Sequence, residues 1–402
     1  MQDSFVDVAI VGAGPAGSAA ALALRRAGYS VALLEKARFP RDKICGDFLT
    51  PGSVGLLKEI GGGEVETEAP CTLRGMRMTY EGHEILSEFP GARHGWSLSR
   101  RKLDFVLARR AVAAGADLIE EFRATEFGSD PETGGRWVEG SYPDGARRRF
   151  RARLLLEAGG RHGLIGRRLG WRVDDTRLIR YALWSNMEGV RGLGERGEMH
   201  VFADGYVGVA ALDRSAGLAN VTMALTPGRM ARARGHVRES FLDLLARHPV
   251  MGPRCRNARL VTSVRGMGPL ACRARRLAAD RIAMLGDAGG FVDPFTGEGV
   301  FVALSGARML ARAVAREGLE SAAALASYER EFHSAFGSKF QLCRLLQVVI
   351  ARPWLARRVA RALASRKDLA DRMVGTTGDL LPPSSVLNPS YLGRLLIAGM
   401  TG

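Results

Sequence analysis

Gly12-Ala13-Gly14-Pro15-Ala16-Gly17 stands directly behind a short apolar run, Phe5 to Val11, and opens an Ala/Leu-rich stretch from Pro15 to Arg26 that Gly28 closes. The run reads as a buried strand and the stretch as a helix. Val31 to Leu34 supplies a second strand, and Glu35 ends it 18 residues after Gly17. That order is a βαβ unit with dinucleotide-binding spacing. Gly12 permits the tight turn, Gly14 lets the backbone approach a pyrophosphate, and Gly17 lets helix and strand pack closely. The helix start offers unpaired N–H groups and a positive dipole end to phosphates. Pro15 costs little there, since the first helical N–H has no intrahelical acceptor. Glu35 is placed to accept hydrogen bonds from ribose hydroxyls.

The 402 residues are enough for two or three domains. A hydrophobic share of 46% with 25% charged residues fits a globular protein and excludes a disordered or collagen-like chain. Cys45, Cys71, Cys255, Cys272 and Cys343 are scattered and form no CxxC pair. Neither a zinc ribbon nor a disulfide framework is expected, which suits a reducing compartment. The histidines show no metal-ligand spacing, so no metal is expected. No leader pattern and no apolar run near the ~20 residues of a membrane span is present, so a cytoplasmic enzyme is the default class. The 58 basic residues exceed the 42 acidic ones, a net charge of +16. Arginines are spread along the whole chain, without a zinc finger, an RNA-binding signature or a basic strip interleaved with aromatics. A nucleic-acid partner is not expected; an acidic substrate or an anionic membrane surface accounts for the charge equally well.

Further along, Arg38 to Thr50 is irregular, Pro51 to Ile60 helical, and Thr72 to Phe89 alternates as antiparallel strands. Arg100 to Gly115 is an amphipathic helix; Leu118 to Phe127, Trp137 to Tyr142 and Arg147 to Glu157 read as a meander and a return strand. Leu178 to Leu225 is strand-like, Val237 to Arg247 helical, Arg281 to Leu285 a buried strand, and Gly297 to Arg316 a helix. Gln341 to Leu363 reads as one basic amphipathic helix, with Leu342, Leu345, Leu346 and Val349 at helical spacing among Arg344, Arg352, Arg357, Arg358 and Arg361. It either packs on the body with its arginines solvated, the default, or lies at a membrane interface.

A second constellation narrows the ligand. Ala283 to Gly290 ends a strand at Gly286-Asp287, and Asp293-Pro294-Phe295-Thr296-Gly297-Glu298-Gly299-Val300 feeds a new helix. Together with the glycine turn, Glu35 and Arg100-Arg101-Lys102-Leu103-Asp104, it resembles the flavoprotein superfamily of FAD-dependent monooxygenases, flavin halogenases and geranylgeranyl reductases. Their fold is the two-domain FAD-binding fold of p-hydroxybenzoate hydroxylase, and the resemblance spans roughly residues 5 to 340. It implies an α/β protein: a Rossmann-like FAD-binding domain (1–75, 97–170, 265–340), an interleaved antiparallel-sheet substrate domain (76–96, 171–264) and a helical C-terminal region (341–402). It also implies non-covalent FAD. Gly12, Gly14, Pro15, Ala16, Gly17, Glu35 and Lys36 would hold the ADP half, and Arg100 would contact the cofactor. Gly286 and Asp287 would bind ribityl and pyrophosphate oxygens; Pro294, Gly297, Gly299 and Val300 would line the isoalloxazine, with Cys45 and Gly46 nearby. NAD(P)H, or a separate reductase, would be the electron donor.

Three departures matter. Leu156-Glu157-Ala158-Gly159 carries Gly159 where relatives have a polar residue, so an acceptor is lost. Lys43 to Pro51 mixes a reductase-like Cys45-Gly46 with a hydroxylase-like acid, Asp47. Cys45 is either a catalytic group on the substrate side or a small buried thiol under the ring. The halogenase Trp-x-Trp-x-Ile-Pro signature is absent, and Gly205-Tyr206-Val207-Gly208-Val209 stands near the place of the prenyl-reductase Tyr-x-Trp-x-Phe-Pro motif without matching it. Residues 171–264 should form a sheet over the flavin, with Trp184, Met187, His200, Phe202, Tyr206 and Met223 on one face. Trp184, His200, Phe202 and Tyr206 are its candidate substrate contacts.

The expected function is a monooxygenase hydroxylating an aromatic, polyketide or isoprenoid-type small molecule in secondary metabolism. The alternatives are a geranylgeranyl-reductase-like enzyme acting on a carbon–carbon bond, and a membrane-attached flavin-containing binding protein without turnover. A cytoplasmic location is expected, with peripheral membrane contact through the basic C-terminal helix as the variant reading.

Overall fold

Strand β1 (Gln2–Val11) holds the centre of the first sheet because it is buried on both faces: Val8, Ala9 and Ile10 are fully inaccessible. In the computed structural model, which describes residues 2–60, 63–176 and 179–399, it is followed by α1 (Pro15–Arg26) and β2 (Val31–Leu34). Next come α2 (Pro51–Glu59), a hairpin of β3 (Gly75–Tyr80) and β4 (His83–Glu88), and α3 (Arg100–Ala113). Strands β5 (Asp117–Ile119), β6 (Arg123–Ser129), β7 (Arg136–Ser141) and β8 (Arg147–Glu157) follow. Then β9 (Tyr181–Glu188), β10 (Arg196–Phe202), β11 (Gly205–Asp213), β12 (Leu218–Leu225) and helix α4 (Val237–Arg247). The chain finishes with β13 (Ile282–Met284), α5 (Gly299–Glu317), α6 (Ala322–Ile350), α7 (Pro353–Ser365), α8 (Lys367–Thr377) and α9 (Pro389–Ala398). Leu178, where the strand-like pattern of the sequence begins, lies outside the described residues, as do residues 400–402.

The fold is α/β, with two large sheets. In the first, β13, β8, β1, β2 and β5 are neighbours; β1 pairs in parallel with both β8 and β2, and the β6–β7 hairpin hangs from β8. Helices α1 and α5 pack on it through small side chains such as Ala19, Ala20, Ala303 and Ala307, which bring helix and sheet close together. The second sheet runs β9, β12, β11, β10, β3, β4. Its antiparallel strands are joined by one parallel pair, with Arg196 opposite Gly75. One face covers Phe241, Leu245 and Met251; the other turns toward the C-terminal helices and the first sheet.

The C-terminal region departs from its sequence pattern. Gln341 to Leu363 is not one helix. The helix that contains Gln341 begins at Ala322 and stops at Ile350, and Pro353 starts a new one. Pro353 has no N–H and its ring clashes with the preceding turn, so it is tolerated in the first turn of α7 but not inside a continuous helix.

Candidate active site

A cavity of about 1200 Å³ lies between the two sheets and the C-terminal helices. Small-molecule sites usually occupy about 300–1,000 Å³, so this one has room for more than one ligand.

The first end of the cavity is the glycine turn. Gly12 has φ 104°, and a Cβ there would come within 2.5 Å of the Ala158 carbonyl oxygen. Gly14, Pro15 and Ala16 line the cavity. Gly17 does not: a Cβ on it would fall 1.9 Å from the Gly12 carbonyl oxygen, so this glycine packs helix on strand rather than touching a ligand. Glu35 and Lys36 line the same end. The Glu35 carboxylate is fixed by the Ala13 N–H at 3.1 Å, the Ala37 N–H at 3.2 Å and Arg41 at 3.1 Å. Arg41 also reaches Asp104 at 2.9 Å, and Asp104 holds Arg100 through two bonds of 2.6 and 2.9 Å. Burial alone would lower the pKa of Arg100; Asp104 more than reverses this and keeps the cation charged.

The middle is built from β13 and the loop after β2. Gly286 has φ 58°, and Asp287 follows it. Burial raises the Asp287 carboxyl while Lys43 and Arg100 oppose the rise. Among the described residues, its carboxylate oxygens make no protein hydrogen bond and face the cavity. Lys43 lines the cavity beside Gly160, and burial lowers its pKa. The sequence pattern gave Lys43 and Arg41 no role; only the return of a remote strand places them here.

At the far end of this stretch, Pro294, Gly297, Gly299, Val300, Cys45, Gly46 and Phe48 line the cavity together. Gly297 has φ 70°, and a Cβ there would strike the Phe48 ring at 2.5 Å. The Cys45–Asp47 segment is held by β12: the Asn220 amide donates to the Cys45 carbonyl at 2.7 Å and to Asp47 at 2.8 Å. Burial pushes the Cys45 thiol up, so at neutral pH it stands in the wall as a thiol rather than a thiolate. Burial also pushes Asp47 up to about 7. Gly159 leaves room that a side chain would lose, because Glu157 occupies it. The buried Glu157 carboxylate accepts the N–H groups of Gly159 and Ile165, each at 2.8 Å.

Beyond Phe295 the cavity becomes an apolar chamber. It is lined by Met78 and Ile85 of the second sheet, Leu346 and Ile350 of α6 and Val359 and Leu363 of α7. Tyr206 stands at its entrance, T-stacked on Phe295 at 5.2 Å, its hydroxyl donating to Asp293. Burial raises Tyr206 well above its ordinary value and raises Asp293 to about 6.

Of the four candidate substrate contacts, only Tyr206 lines the cavity. His200 and Phe202 are corrected by strand phase. In β10 it is Met199 and Val201 that face the cavity; His200 and Phe202 point the other way, against His248 at 5.7 and 5.8 Å. His200 is fully buried between Thr79 and Glu198. Met187 and Met223 lie in that same opposite core. Trp184 is 2% exposed and stops short of the lining, beside the Arg265 guanidinium. Alternation within a strand is legible, but a sheet face also needs the register between strands, which fixes His200 opposite Val207 rather than Tyr206.

Residues 5–338 match the FAD binding domain family. The chain belongs to this family. FAD is therefore the cofactor, and the chain is an FAD-dependent oxidoreductase. Similar proteins include the menaquinone reductase of Mycobacterium tuberculosis (strain ATCC 25618 / H37Rv), 37% identical over 173 residues, 42% of this chain and 41% of that one. The chain thus matches only about two-fifths of that relative's length. Digeranylgeranylglycerophospholipid reductase 2 of Methanopyrus kandleri is 30% identical over 348 residues, 83% of this chain and 84% of that one. Among solved structures, a flavoprotein/dehydrogenase from Cytophaga hutchinsonii shares the fold with a TM-score of 0.83 at 21% identity, over 98% of each chain. Flavin-dependent halogenases share that fold too.

Proposed function

We propose that this FAD-dependent oxidoreductase reduces a carbon–carbon double bond in a long, apolar, isoprenoid-type substrate. The observation that carries the proposal is the chamber. It adjoins the Pro294–Gly299 wall, and its far walls are aliphatic side chains of β3, β4, α6 and α7. An aromatic ring alone would leave such a chamber unfilled, whereas a polyprenyl chain buries apolar surface along its whole length.

The residues present fit FAD. The first-turn N–H groups of α1 have no intrahelical acceptor and face the cavity with Gly14, where a pyrophosphate would sit. Glu35 suits the ribose hydroxyls, and the open Asp287 carboxylate suits the ribityl chain. Lys43 and Arg100 offset phosphate charge. When bound and reduced by NAD(P)H or by a partner reductase, FAD would supply the hydride, the second hydrogen arriving as a proton from solvent. The chain's own work is positional. Cys45, Gly46, Phe48, Pro294 and Gly297 frame the ring site together, while the aliphatic walls exclude water. Asp293 pins the Tyr206 hydroxyl at the chamber entrance, fixing where a substrate head group can lie.

Hydroxylation uses the same cofactor and chamber. The two reductase relatives and the Cys45-Gly46 pair favour reduction over it. The test is anaerobic: FAD-loaded protein, dithionite as reductant, and a geranylgeranyl lipid, whose isolated double bonds dithionite alone does not reduce, read by mass spectrometry. A product heavier by two hydrogens is expected. A product that forms only in air and gains an oxygen atom would overturn the proposal in favour of hydroxylation. Tight FAD binding with no product under either condition would leave the binding-protein reading.

A further inference from the structure

The outer surface of α7 and α9 is unlike the rest of the molecule. Trp354 is 65% exposed at the start of α7, and Leu392, Leu396 and Ile397 are exposed on α9, at 38, 47 and 65%. These side chains belong to one patch. Arg358, one turn beyond Trp354 on the same face of α7, donates to the Leu396 carbonyl at 3.1 Å. Leu392 and Leu396 are likewise one turn apart. Large apolar side chains gathered on one surface mark an interaction site.

The charge around the patch selects the partner. From Gln341 to Ser365 there are five arginines and no carboxylate, and α9 carries one arginine and no carboxylate. Arg357 is paired with Glu81, Arg394 with Asp368, and Arg344 lies 3.8 Å from Asp175. Among the described residues, Arg352, Arg358 and Arg361 have no carboxylate within ion-pair distance. A symmetric pair of copies would bring these like charges face to face, which disfavours a homodimer here. A tryptophan and leucines flanked by unneutralised arginines match the interface of an anionic lipid bilayer.

The position of the patch adds a second argument. Ile350 lines the apolar chamber, and Trp354, four residues on, is exposed. Ala356, Val359, Ala360 and Leu363 of α7 also line the chamber. One helix thus separates the patch from the chamber.

We infer that the α7–α9 surface docks on anionic lipid bilayers, so that a lipid substrate passes from the bilayer into the chamber past α7. The docking surface stands on the patch and its charge; only the substrate route rests on the proposed function. The test is flotation of the full-length FAD-loaded protein with phosphatidylcholine vesicles, with and without phosphatidylglycerol. Binding to the anionic vesicles, at least tenfold weaker on the neutral ones, is expected. Leu392→Glu/Leu396→Glu and Arg352→Glu/Arg361→Glu should each reduce binding at least tenfold while leaving the flavin absorbance spectrum unchanged. No binding to anionic vesicles would overturn the inference, as would binding that ignores both variants. A concentration-dependent dimer in lipid-free buffer that Leu392→Glu/Leu396→Glu dissolves would also overturn it, in favour of a second copy. Turnover of a short, water-soluble alkene substrate separates the two proposals: it tests the chemistry and should be the same in wild type and both variants.

Discussion

Asp47 shows how much one residue can be constrained by its neighbours. Its backbone is left-handed, with φ 53°, a region that Asp and Asn tolerate better than most side chains. Its carbonyl accepts the Leu98 N–H at 3.0 Å, and its carboxylate accepts the Arg100 N–H at 3.1 Å and the Asn220 amide at 2.8 Å. Burial still outweighs these bonds and holds the carboxyl at about 7, against an ordinary 3.8. The folded chain therefore keeps a proton that the unfolded chain has lost between these two values. The associated stability is complete below the unfolded value and is lost as pH rises through about 7. Wild-type melting temperature should accordingly fall between about pH 5 and pH 8. Asp47→Asn removes this titration at the cost of one hydrogen-bond acceptor, about 1 kcal/mol. Its melting curve series should be flatter with pH but not level, because Asp293 and Glu298 are shifted the same way, to about 6 and about 7. Equal slopes in the two proteins would show that Asp47 is ionised in the fold.

At the scale of elements, Lys339 ties the C-terminal helices to the FAD-binding body. From the middle of α6 its ammonium reaches Glu298 at the start of α5, at 3.5 Å, and Asp379 in the turn after α8. Asp379 in turn accepts the Thr50 hydroxyl at 2.6 Å, and Thr50 caps α2. Burial would discharge Lys339, but the two carboxylates more than reverse this. Lys339→Met keeps most of the side chain's length and leaves two buried carboxyls without their cation. Breaking a buried pair in this way costs about 3–5 kcal/mol. Urea unfolding should show a loss of that order, and Asp379→Asn in the same chain should recover part of it; no loss would mean that the three groups are neutral together. None of this network was legible in the sequence, because its members are about forty and more than three hundred positions apart. By contrast, the β1–α1–β2 unit was legible nearly to the residue, since its glycines, proline and strand lengths act on their immediate neighbours. The break between α6 and α7 was legible in principle, from Pro353 alone. The periodic leucines on either side hid it by extending one helical pattern across two helices.

For the molecule as a whole, the sequence marked the cofactor end of the cavity and missed most of the chamber. The cofactor end is built from local turns whose residue types have few other uses. The chamber is built from ordinary aliphatic residues, and only the packing of α6, α7 and α8 over the second sheet makes a cavity of them. Ala360 tests whether this space sets substrate length. It lies on the chamber side of α7, is buried, and is remote in sequence from every element at the flavin end. Ala360 is part of the packed core under α7 as well as of the cavity lining, so Ala360→Phe carries an overpacking cost of about 1–3 kcal/mol. The melting temperature should fall by a few degrees, while the FAD spectrum should stay near wild type because the substitution is remote from the flavin end. If the chamber holds the chain of the substrate, KM for a long polyprenyl substrate should rise at least tenfold, while a substrate of one or two isoprene units should be turned over as before. That split is the informative readout, because damage to the flavin end would slow both substrates alike. Unchanged kinetics with the long substrate would place its chain elsewhere and remove the chamber from the account of specificity.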